Sequence, residues 1–138
     1  MSEQEIIERL VKEVEQLKNM QQAAGGNLPL YRIGNANYPA SLTANQNNYD
    51  PGNYDIIFLE GTAARNISGF SGGTEGRMLF IRIIGSFAIS LLNLSGLSLA
   101  ANQIVTRSGA TLALAVGGTA LLIYQGSTSR WIVWFSVP

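Results

Sequence analysis

Beyond Lys18 the chain holds four carboxylates, Asp50, Asp55, Glu60 and Glu75, and these are its first candidates for chemistry. A pair of carboxylates on either side of a glycosidic bond can hydrolyse it, one as general acid and the other as base or nucleophile. Asp50 and Asp55 fall in the turn-rich stretch "DPGNYD", whose spacing matches no EF-hand and lacks the bidentate acid, so it reads as a turn and not a cation loop. Glu75 lies beside Arg77 in "GGTEGR", where a structural ion pair or a solvated turn is the simpler reading. Histidine and cysteine are absent. Thiolate nucleophiles, disulfides, the usual zinc ligands and the side chain best suited to proton transfer near neutrality are therefore missing. The chain is expected to be no enzyme and to carry no cofactor and no metal.

The other side chains with functional chemistry are aromatic. Tyr31, Arg32, Tyr38 and Tyr49 punctuate "GGNLPLYRIGNANYPASLTANQNNYDPGN", and Tyr and Arg are favoured anchors at protein interfaces. They are the candidates for contact with a large partner, and packing of the same residues onto their own domain is the competing reading. Net charge is zero and no basic stripe is present, so the attraction to phosphates that underlies nucleic-acid binding has no source.

Three regions must position these groups. Residues 1–24 read as a helix, 25–53 as a linker and extended arm, and 54–138 as a β-rich knob. In the helix, Ser2 and Glu5 form a capping box, acids occupy the first turn, and Lys18 lies near the end. Glu5 with Arg9 and Glu8 with Lys12 are i,i+4 pairs in the favourable order. The apolar residues Ile7, Leu10, Val14 and Leu17 follow the a/d spacing of a coiled coil, a seam for partner helices. Val11, Ile6 and Met20 widen the stripe from two strands towards three. A helix folded back on its own domain is the alternative. At about 1.5 Å per residue the stalk would be about 30 Å long, too short to associate without help from the knob. The acidic start has no apolar secretory core, so synthesis in the cytoplasm is expected.

After Tyr54 short apolar runs recur between turn residues, the signature of an antiparallel β-sandwich or jelly roll. Two charge-free windows, from Ile83 to Thr106 and from Ser108 to Ser129, are interrupted by Ser, Asn, Gln and Gly and read as strands rather than membrane spans. In the last strand strict alternation points Trp131, Val133 and Phe135 one way and Ile132 and Trp134 the other. "RMLFIRIIG" likewise sets Met78 and Phe80 against Leu79, Ile81 and Ile83. Strands apolar on both faces are either central in a thick core or buried a second time by neighbouring subunits. With the helical seam, the second reading predicts self-association through Ile7, Leu10, Val14, Leu17 and Trp134, the heptads leaving dimer or trimer open.

From Glu60 to Trp134 the chain resembles a pattern found in bacteriophage virion appendages, including capsid decoration (cement) proteins, head fibres and tail-fibre tips. The resembling elements are Ile67 and Gly69, "GGTEGR" at Gly72 to Arg77, Gly85 and Ser86, "LNLS" at Leu92 to Ser95, "AANQI" at Ala100 to Ile104, and "LIYQGSTSRW" at Leu122 to Trp131. The resemblance implies a trimeric β-sandwich knob behind a coiled coil, located on the virion. A start methionine directly before a short stalk favours a capsid decoration or head-fibre protein, with the major capsid protein as partner. The alternative is a tail-fibre tip that recognises a host surface glycan, for which Trp134 is the residue to watch.

Overall fold

A computed structural model describes residues 2–23 and 35–138. The chain divides into two units, Met1–Arg32 and Ile33–Pro138, each a body of its own. In the first, helix α1 (Glu3–Ala23) opens on a reciprocal cap. The Ser2 N–H donates to Glu5 Oε2 at 3.1 Å, and the Glu5 N–H donates to Ser2 Oγ at 3.2 Å, satisfying two amides that a helix start otherwise leaves orphaned. Its ion pair is Arg9 Nε to Glu13 Oε1 at 3.6 Å, one step further along the helix than the expected pairs. The helix outruns Lys18, and its last turn carries no basic residue.

The second unit is mainly β. Its strands are β1 (Ala36–Asn37), β2 (Ile56–Leu59), β3 (Arg65–Ile67), β4 (Met78–Ile83), β5 (Ile89–Leu91), β6 (Ile104–Val105), β7 (Leu112–Leu114), β8 (Thr119–Gln125) and β9 (Arg130–Val137). They form a six-stranded sheet in the order β1-β2-β4-β8-β9-β6 and a three-stranded sheet in the order β3-β5-β7. The purely antiparallel arrangement expected from the sequence is corrected here. Antiparallel ladders join β4 to β8, β5 to β7 and β8 to β9, whereas β1–β2, β2–β4, β3–β5 and β6–β9 are parallel. Alternating apolar runs specify which face is buried but not the direction of the neighbour. Parallel neighbours need a long return path, and here each return runs through the opposite sheet.

The first half of this unit is therefore a stack of three passes. Ala36 lies beside Ile56, and Ile56 beside Phe80. On the opposite side Gln46 bridges Ile67, which pairs with Leu91. The stretch expected to be an extended arm is, over its described residues, the first pass of this stack. Leu42, Gln46 and Tyr49 bridge Gly61, Ile67 and Phe70 in parallel. The Gln46 N–H donates to Asn66 O at 2.9 Å, and the Ser68 N–H returns a bond to Gln46 O at 2.9 Å. The pass looks loop-like in sequence because it is joined by isolated bridges, with side chains supplying the remaining bonds. Asn45 Oδ1 accepts from the Asn66 N–H at 2.9 Å, and Asn48 Oδ1 accepts from the Leu99 N–H and from Asn102 Nδ2, both at 2.8 Å.

Apolar side chains from both sheets meet in one core, with Ile57, Leu59, Leu79, Ile81, Ile83 and Leu122 from the larger sheet and Ile67, Ile89, Leu91 and Leu114 from the smaller. Trp131 is fully buried there, edge-on to Phe70 and Tyr124 at centroid distances of 6.1 and 5.3 Å. Its Nε1–H donates to Phe70 O at 2.8 Å, so the indole's polar atom is satisfied. The Arg77 guanidinium lies 5.8 Å from the Trp131 ring centroid and donates to the backbone carbonyls of Gly52, Tyr54 and Gly72. Among the described residues no helix is long and apolar enough to cross a membrane.

Candidate interaction surface on the outer sheet face

Alternation along each strand of the larger sheet gives it a second face, turned away from the core. On β4, Leu79, Ile81 and Ile83 are buried, while Met78, Phe80 and Arg82 face outwards. The registers align these outward residues into rows. Ala36, Ile56, Phe80, Leu121 and Phe135 run across five strands, and Met78, Ile123 and Ile132 form the next row. A third row, Phe58, Arg82, Thr119 and Val137, contains the one charge in the three. Tyr38 adds a ring, stacked on Phe58 at 4.5 Å with an interplanar angle of 10°.

Strict alternation would send Phe135 inwards, and the structure corrects that expectation. The β8–β9 register slips between Leu121 and Leu122, so that Leu122 pairs with Val133 but Leu121 pairs with Phe135. Trp134 is the extra residue of this bulge, and the alternation resumes one position late. Trp134 and Phe135 are consequently both exposed, at 62% and 53%, followed by Val137 at 50%. A bulge has no compositional signature in "RWIVWF", so only the cross-strand register reveals it.

Two shallow depressions mark this surface. One, of about 270 Å³, is lined by Trp134, Ile132, Ile123, Gln125 and Glu75. The other, of about 230 Å³, is lined by Ile56, Phe58, Phe80, Arg82 and Thr119.

The sequence candidates are distributed unevenly. Trp134 and Tyr38 both stand on exposed ground, Tyr38 at 68%. Tyr49 is half-buried and meets Phe70 edge-on at 6.1 Å. Burial pushes its phenol above the usual value, and the neighbouring Asp50 carboxylate adds to the shift. Tyr31 and Arg32 lie outside the described residues. On α1, Ile7, Leu10, Val14 and Leu17 are all at least half exposed. Phe135, Leu121, Ile123 and Val137 were missed as surface candidates, although the charge-free runs around them were the available signal.

Three of the four carboxylates, Asp50, Glu60 and Glu75, are engaged structurally. Glu60 Oε1 accepts from Ser41 Oγ at 2.7 Å, and Asp50 Oδ1 accepts from the Gly52 N–H at 2.8 Å in an Asx turn. Glu75 accepts from the Gly126 N–H and Arg77 donates to carbonyls, so of the two readings of this turn the ion pair gives way to two separate sets of backbone contacts, with Glu75 itself exposed. Among the described residues no group of three potential metal-ligating side chains converges. No protein-family model matches the chain, and no curated protein matches it.

Proposed function

We propose that this chain is a non-enzymatic structural protein of a bacteriophage virion, a homotrimeric capsid decoration or head-fibre protein that binds the outer shell through the major capsid protein. The observation that carries the reading is the exposed a/d stripe of α1, Ile7, Leu10, Val14 and Leu17. Most of the stability of an amphipathic helix comes from packing its apolar side against a partner. Identical helices complete one another's seam, and the flanking Ile6, Val11 and Met20 favour three strands. Three copies of one weak shell contact raise avidity by orders of magnitude. Binding to the assembled shell but not to separated capsomers stabilises the shell by mass action.

The test is to image particles assembled with and without the chain and to measure its mass in solution. The expected result is a three-chain mass, symmetric density on the shell, and slower disruption of decorated shells on heating. A single-chain mass at micromolar concentration, or shells that bind none of it, overturns the proposal. A second reading, a tail-fibre tip that binds a host surface glycan, draws support from exposed Trp134 beside Gln125 and Glu75. A few copies at the tail, with none on the shell, would favour it.

A further inference from the structure

The outer sheet face is too apolar and too large to be left as ordinary surface. At the fractions given above, Tyr38, Trp134 and Phe135 expose roughly 400 Å², taking about 150–250 Å² for each buried aromatic. The half-buried members of the three rows bring the face to the order of 800 Å², the area each partner contributes to a standard stable interface. Arg82 interrupts it, exposed and outside any salt bridge among the described residues.

We propose that Trp134 of one copy docks into the depression lined by Ile56, Phe58, Phe80, Arg82 and Thr119 on the next copy, its indole lying against the Arg82 guanidinium. An apolar cavity of about 150 Å³ accommodates a benzene ring. The depression, at about 230 Å³, therefore has room for an indole. Trp is the best ring for a cation–π pair and Arg the more frequent cation, which accounts for a lone cation on an otherwise apolar face.

With three copies joined at α1 the contact is heterologous: each copy inserts into one neighbour and receives from the other. Such contacts close into a ring when the rotation permits, in keeping with three strands at α1. The occupant is a second copy because of the chain itself. Only residues 24–34 lie between the end of α1 and the first described residue of the knob, a span of about 40 Å at full extension. Copies joined at α1 would hold their sheet faces at millimolar effective concentration. This step rests on the self-association of α1 proposed above.

The absence of cysteine permits a direct test on the full chain. In the variant Trp134→Cys/Thr119→Cys the two thiols cannot pair within one chain. Thr119 stands opposite Val137, and Trp134 lies about 10 Å back along β9, beyond the roughly 7 Å reach of a disulfide. Oxidation is expected to yield a covalent trimer on a non-reducing gel, and each single-cysteine variant is expected to give none. Because Trp131 is buried, acrylamide quenching in the unmodified chain reports Trp134, and the quenching constant should fall several-fold on association. Trp134→Ala should weaken association by roughly 100-fold, the size of an interface hot spot. A trimeric mass of the unmodified chain with Trp134 still fully quenchable overturns this docking while leaving α1 association intact. A covalent dimer overturns the cyclic arrangement, and protection of Trp134 by added host polysaccharide but not by association assigns the face to a glycan. A monomeric unmodified chain instead removes the earlier reading on which this one rests.

Discussion

The two tryptophans of β9 are three positions apart and lead opposite lives. Trp131 is sealed between Phe70 and Tyr124 with its N–H bonded to Phe70 O at 2.8 Å, while Trp134 stands 62% exposed at a bulge. The inner face of the sheet is complete within one chain, with every buried side-chain polar atom among the described residues satisfied. The outer face has the same apolar character but leaves Trp134, Phe135 and Val137 at least half exposed. Composition is shared between the two faces, so it does not distinguish a core from a binding surface. Register does.

The largest effect expected from breaking this contrast is Trp131→Ala. Loss of a buried indole costs about 3–5 kcal/mol, and the Phe70 carbonyl loses its donor as well. Urea denaturation should show that loss at every protein concentration. Trp134→Ala should change the stability of the isolated chain by no more than about 0.5 kcal/mol, as at ordinary surface sites, and any further cost should grow with protein concentration because it reflects lost association.

A smaller effect should come from Gly73→Ala. A Cβ at Gly73 would clash with the Tyr124 ring, which packs edge-on to Trp131 and is tied by its own O–H bond to Ala101 O at 2.9 Å. Overpacking of this kind costs about 1–3 kcal/mol. Gly96 has open space around its Cβ position and no positive φ, so Gly96→Ala serves as the matched control and should be near neutral in the same denaturation experiment.

Of similar size is the effect expected at the polar seam between passes. Ser68 Oγ is buried, 2.6 Å from Ser98 Oγ and 2.6 Å from Asn47 Oδ1. Ser68→Ala leaves these partners short of a bond and should cost about 1–3 kcal/mol, with the loss seen first as faster amide exchange at Gln46 and Tyr49, whose N–H groups bond into the second pass.

How much of this was legible in the sequence depends on the range of the interaction. The α1 cap was readable because Ser2 and Glu5 are three residues apart and bond each other directly. The two faces of β4 were readable because alternation is local. The stacking of Gln46, Ile67 and Leu91 was not, since each belongs to a different pass and the first pass joins the second only through isolated bridges. The outward turn of Phe135 was hidden for the same reason, as it depends on which residue of β8 stands opposite. Trp134 was visible as a surface candidate, but its setting among Ile123, Ile132 and Gln125 depended on strand pairing.

Tyr49 lies between the two extremes represented by the tryptophans, and it supplies the smallest effect. It is half-buried against Phe70, and both burial and the Asp50 carboxylate disfavour its phenolate. Its folded pKa is therefore above its unfolded value of 10.0. Below pH 10 the phenol is neutral in both states and its contribution to stability is fully present. Above about pH 10 the unfolded chain releases this proton more readily than the folded one, so stability falls as pH rises through the folded pKa. Tyr49→Phe removes the titration and keeps the ring, so the variant should lose less stability than the parent between about pH 9 and pH 11. Parallel urea titrations at the two pH values measure the difference. Equal losses in the two proteins would mean that Tyr49 is as open to water as Tyr38, and the first pass would then be looser against Phe70 than its bridge to the second pass requires.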